Sequence, residues 1–256
     1  MSVKYEVLAR RATITIDDAE RRNPMSVEVM AELLEATREA MADDEVGVIV
    51  YTGAGDRAFS AGGDLSGSFA DDPVGLHRKR GDLADLFRLM ARGGKPTIAR
   101  VNGHALAGGF GLAVACDVTV CVEDAKLGTT EVKVGLWPMM ISAVLTRAMP
   151  RKVAFDLMLT GRIIDPHEAQ RLGAVSRVVS RDQLDEEVDE LVEALLAASP
   201  ATLLLGKDSF YGMAGLDLDT ALDRLQGGLT EITLTDDSKE GIAAFLEKRE
   251  PNWSGS

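Results

Sequence analysis

The sequence predicts an α/β fold that gives way to a helical C-terminal region, and two features of the chain predict it. Short β-branched apolar runs alternate with amphipathic helical stretches over the first two-thirds, whereas beyond Met139 almost every apolar pattern is helical. With 256 residues, 46% hydrophobic and 27% charged, the chain can bury a substantial core. We place a core at residues 1–195 and a helical appendage at 196–256.

Val3–Ala9 and Ala12–Ile16 read as strands. Ser26 then caps a helix whose Met30, Leu33, Leu34 and Met41 recur at helical spacing. Val46–Thr52 (VGVIVYT) is a continuous apolar run, as in a strand covered on both faces. A helix around Leu83–Met90, the strand Thr97–Val101, a helix opening near Gly108 and the strand Val118–Val122 follow. Such alternation implies right-handed crossovers. Further on, Ser180 and Gln183 match a capping box ahead of a helix carrying Leu184, Val188 and Leu191. Pro200 limits that helix, and two or three more fill Ala201–Arg249, with apolar faces suited to a neighbouring subunit. No internal repeat is visible in the sequence.

The net charge of −13 argues against a nucleic-acid partner, since phosphate backbones reward clustered Lys and Arg. Cys116 and Cys121 match no redox or metal spacing and read as buried thiols in a reducing compartment. His77, His104 and His167 show no zinc spacing, so no metal site is expected. Neither a charged-then-apolar leader nor a membrane-length apolar run stands out, which makes the cytoplasm the expected location and no membrane partner expected.

Two glycine-rich segments carry the candidate chemistry. One is Arg57–Leu65 (RAFSAGGDL); the other is Val101–Leu112 (VNGHALAGGFGL), running from a strand into a helix. Consecutive small residues let backbone amides approach a ligand, and a helix start adds the positive end of its dipole. Two such turns facing each other would hold an oxyanion. Neither segment fits a nucleotide-phosphate loop.

Arg57–Leu65 and Lys95–Gly109 resemble the two signatures of the crotonase (enoyl-CoA hydratase/isomerase) superfamily. Further landmarks fall in family order: Asn23–Pro24, Asp117, Glu131–Pro138 (EVKVGLWP), Leu159–Val179 and Ala244–Trp253. The resemblance implies a spiral of ββα units and a C-terminal helical region that assembles a trimer or dimer of trimers. It implies an acyl-CoA substrate, with coenzyme A entering as part of that substrate and no other cofactor. By matching positions, the amides of Gly63 and Gly108 would hold the thioester oxygen, and Ala61, Asp64 and Leu65 would lie beside the bound coenzyme A. Lys248 matches a lysine that contacts coenzyme A, and Arg22 and Arg57 are weaker candidates for its phosphates.

Glu131 matches one of the two catalytic glutamates of family hydratases. The other position holds Gly111. Hydration of an enoyl thioester is the first expectation, because the segment around Glu131 most resembles hydratases. Double-bond isomerisation by a single carboxylate is the alternative, and a non-catalytic acyl-CoA-binding homologue is another. Trp137, Met139 and Met140 would line the acyl pocket.

Overall fold

Six strands form the main sheet, and the inner ones are short apolar segments buried by their neighbours and by the helices that cover them. The computed structural model describes residues 2–64 and 73–256, and the sheet runs Val3–Leu8, Arg11–Ile16, Val48–Gly53, Thr97–Val101, Val118–Val122, Arg177–Val179. The first pair is antiparallel and every later neighbour is parallel. Val48–Gly53 is buried at every position, as its unbroken apolar run requires. Helix Val27–Ala42 covers one face, and Thr37 Oγ1 lies 2.8 Å from the buried Tyr51 hydroxyl, so this phenol keeps a partner inside the core.

A second, smaller sheet explains the spiral. Its order is Ile163–Ile164, Leu127–Gly128, His104–Leu106, Ala58–Ser60. Two successive turns of the chain therefore place one strand in the large sheet, a short strand in the small sheet, and then a helix. Val48–Gly53, Ala58–Ser60 and helix Pro73–Arg92 make one such turn; Thr97–Val101, His104–Leu106 and helix Gly108–Ala115 make the next. The repeat lives in backbone pairing and not in side chains, which is why no periodic sequence marks it.

The C-terminal helices are Pro200–Gly212, Leu218–Leu234 and Asp236–Glu247, started by the side chains of Ser199, Asp217 and Thr235. A half-buried carboxylate docks the first of them on the core: Asp117 accepts from Lys207 Nζ at 2.6 Å, Tyr211 Oη at 2.8 Å and the Thr97 amide at 2.7 Å. Leu218, Leu229, Leu234, Phe245 and Leu246 on the last two helices stay exposed. Cys116 and Cys121 are buried free thiols.

Two local expectations are corrected. Ser180 and Gln183 bond to each other through their side chains, and a 3-10 turn at Arg181–Gln183 precedes helix Leu184–Leu196, so no capping box forms. Pro200 starts the next helix and does not end this one, which closes at Leu196. Among the described residues no helix is long and apolar enough to cross a membrane.

Candidate active site

Two backbone turns meet because glycine lets them touch. Gly62 has φ +90°, and a Cβ there would lie 2.6 Å from Ala107 Cβ and 2.8 Å from Leu106 O. Only glycine relieves both constraints. Gly62–Gly63 pairs in parallel with Pro24–Met25, and the bond to Met25 O comes from the Asp64 amide at 3.2 Å. Successive amides of a strand point to opposite sides, so the Gly63 N–H points away from Met25.

Gly108 approaches from the other turn. Ala107 adopts φ 48° and ψ −125°, a strained conformation for a residue with a Cβ, and it swings the 107–108 peptide just before helix Gly108–Ala115 begins. The first helical bond runs from Gly111 N to Ala107 O at 3.1 Å, so the Gly108 N–H belongs to the unpaired first turn. A methyl on Gly108 would stand 3.9 Å from Gly63 N, which places the two amides side by side.

Both glycines line a cavity of about 1060 Å³ together with Glu131. Glu131 opens a 3-10 helix, Glu131–Val134, that follows directly on the small-sheet strand Leu127–Gly128. Gly135 ends it in a left-handed conformation, and Leu136 N donates to Glu131 O at 3.0 Å. The carboxyl Oε2 is buried with no hydrogen-bond partner. Burial raises the Glu131 pKa above that of an ordinary glutamate, only partly offset by a bond from its own amide. A desolvated carboxylate that shares one cavity with two free N–H donors can move a proton to or from a carbon whose neighbouring carbonyl is being polarised.

Much of the remaining wall is apolar. Met25, Met30 and Leu83 face the cavity from one side, and Trp137, Met140 and Ile141 from another. Trp137 is steadied edge-to-face by Phe155, with ring centroids 6.0 Å apart. Met139 also lines the cavity, at its exposed rim. Lys79 and Arg80 reach it from helix Pro73–Arg92, and sequence reasoning missed both. Their polar neighbours (HRKRGD) look like an ordinary solvated face, so no signal marked them.

Gly111 is more than a missing carboxylate. A Cβ there would lie 2.6 Å from Ile141 Cβ and closer still to its Cγ2, and Ile141, 3% exposed, lines the cavity at this point. A side chain at 111 therefore has no room. Gly111→Glu alone is expected to lower stability by about 3 kcal/mol or more, through overpacking and an unpaired charge, without adding a usable second carboxylate. Combining it with Ile141→Ala should recover part of that loss in a denaturation experiment. An unchanged unfolding midpoint in the single variant would contradict this packing.

The other candidate residues separate into groups. Ala61 and Asp64 line the cavity, and Asp64 is paired with Arg21. Leu65 lies outside the described residues. Arg22 and Arg57 line a different, smaller cleft of about 220 Å³ with Asp56, His104, Asp124 and Arg181. His104 Nδ1 accepts from Lys126 N at 3.1 Å, a packing role. Lys248 caps helix Asp236–Glu247 in a left-handed conformation, exposed and away from the cavity lining of its own chain. Among the described residues no cluster of three or more His, Cys, Asp or Glu is placed to hold a metal ion.

A profile described as enoyl-CoA hydratase/isomerase matches residues 9–256. The chain belongs to the enoyl-CoA hydratase/isomerase family. A Thermus thermophilus protein named "Putative enoyl-CoA hydratase" is 40% identical over 245 residues, 94% of this chain and 96% of that one. The carnitinyl-CoA dehydratase of Salmonella typhimurium is 31% identical over 243 residues, 93% of each chain. Among solved structures, an enoyl-CoA hydratase of Mycobacterium smegmatis superposes with a TM-score of 0.93 at 30% identity, covering 99% of both chains. The α/β architecture with its C-terminal helices is thus the crotonase fold.

Proposed function

We propose that this chain adds water reversibly across the α,β double bond of an enoyl-CoA thioester. The Gly63 and Gly108 amides hold the thioester oxygen, and Glu131 moves the proton. Glu131 takes a proton from water as the hydroxyl bonds to Cβ, and the π electrons move to the thioester oxygen as an enolate. Collapse of the enolate takes the proton from Glu131 to Cα, which restores the carboxylate and completes the addition of one water. The observation that carries this reading is the buried, unpartnered Glu131 Oε2 in the same cavity as the amide pair. The hydratase and dehydratase names of the relatives support it. Coenzyme A enters as part of the substrate, and the step as written uses no other cofactor.

A second reading rests on Ile141. With its side chain filling the space beside Gly111, the cavity wall there offers no second acid–base group. One carboxylate suffices to take a proton from one carbon and return it two carbons away, which shifts the double bond. A spectrophotometric panel of 2-enoyl- and 3-enoyl-CoAs separates the two: hydration destroys thioester conjugation, whereas isomerisation of a 3-enoyl substrate creates it. Loss of conjugation with 2-enoyl substrates is the expected result, and binding of the panel without turnover would overturn both readings.

The exposed leucines and Phe245 of the last two helices need a partner surface. Assembly through them as a trimer or dimer of trimers is part of the proposal, and a stable monomer in light scattering at micromolar concentration would contradict it.

A further inference from the structure

Two buried asparagines hold the link that carries the Gly63 turn, and neither lines the cavity. Asn23 is fully buried and left-handed, φ 55°, a conformation that asparagine tolerates better than most residues. Its Oδ1 accepts from Asp18 N at 3.0 Å, and its Nδ2 donates to Ala58 O at 2.7 Å and Ala54 O at 3.0 Å. Asn102, 2% exposed, works on the same link from the other end. Its Nδ2 donates to Gly53 O at 2.8 Å and Gly55 O at 2.7 Å, and its Oδ1 accepts from Gly53 N at 3.2 Å. The chain between the large sheet and the small-sheet strand Ala58–Ser60 is thus suspended from two side-chain amides.

The backbone around Asn23 continues the grip. Arg22 O accepts from Ala61 N at 2.9 Å, and Met25 O accepts from Asp64 N at 3.2 Å. Residues 58, 61 and 64 are therefore all registered against the segment that Asn23 folds, and Gly63 lies between the last two of these anchors. We propose that Asn23 is a positioning residue for the Gly63 amide, with Asn102 fixing the other end of the same link. This role rests on the reading that Gly63 polarises a thioester carbonyl. Asn23 acts through the backbone and does not touch the substrate.

The test uses the full-length protein with Asn23→Asp and Asn23→Gly. Aspartate is nearly isosteric and still accepts from Asp18 N, but when ionised it cannot donate to the carbonyls of Ala54 and Ala58. Glycine keeps the left-handed turn and removes the side chain. The probe is an arylacryloyl thioester of coenzyme A, whose absorption moves to longer wavelength on binding as its carbonyl is polarised. In both variants that red shift should shrink. The kcat should fall about 10- to 100-fold, short of outright loss of a donor, while KM changes by less than about threefold. The acid limb set by Glu131 should stay in place.

A merely structural asparagine would lower the unfolding midpoint yet leave the folded fraction with the parental red shift. That result, with parental kcat in either folded variant, overturns the proposal; if Asn23→Asp does not fold, Asn23→Gly decides. The red shift needs binding only. A parent that shifts the probe but turns over no enoyl-CoA would therefore sink the reaction assignment and leave the positioning role standing.

Discussion

Gly63→Pro is expected to lower turnover about 100- to 1000-fold, the usual loss when one donor to a developing oxyanion is removed. The substitution is unusually clean at this position. A Cβ at Gly63 meets nothing within 4 Å, and the neighbouring bond to Met25 O comes from the Asp64 amide, which the variant keeps. Proline deletes the Gly63 N–H and fixes φ near −65°. Binding of the coenzyme A portion should suffer far less than turnover, because most of the cavity wall is untouched. A folded variant with parental kcat would remove Gly63 from the mechanism.

Glu131→Gln is the second large effect. The amide keeps the shape of the side chain and cannot act as a base, so turnover should fall about 100-fold or more, within the range for general acid–base catalysis. Acyl-CoA affinity should remain near the parental value. The pH dependence follows from burial. Because the carboxyl is held above the ordinary glutamate range, kcat/KM should rise as pH climbs through that raised value, and the limb should vanish in the variant. The sign for stability is the reverse of the usual carboxylate case. A pKa that is higher folded than unfolded favours folding at low pH, and that contribution is lost as pH rises through the folded value. At neutral pH, Glu131→Gln should therefore be no less stable than the parent. Full activity in the variant would exclude Glu131 as the base.

Much of the site was legible because its chemistry sits in contiguous backbone. The strands Thr97–Val101 and Val118–Val122 appear where their β-branched runs placed them, and Gly108 does open a helix. Helix Pro73–Arg92 begins well before the apolar stretch around Leu83–Met90, and the polar run HRKRGD at 77–82 hides that continuity in the sequence. The small-sheet strands escaped notice for a different reason: they are two or three residues long and are defined by pairing with distant segments. Gly111 and Ile141 show the same limit. The sequence reveals a glycine at 111, but the residue that fills its space stands 30 positions later and is found only in three dimensions. Asn23 likewise stands out in the sequence only as half of the landmark Asn23–Pro24, and its three side-chain bonds are found only in three dimensions.

The central claim is that an amide pair and one carboxylate generate and quench a thioester enolate. Its most direct test is turnover of a short 2-enoyl-CoA in deuterium oxide, with the product examined for label at Cα. The account expects thioester conjugation to disappear and one solvent-derived deuterium to appear at Cα, with both changes lost together in Glu131→Gln. Tight binding of the substrate with conjugation intact and no deuterium at Cα would contradict it.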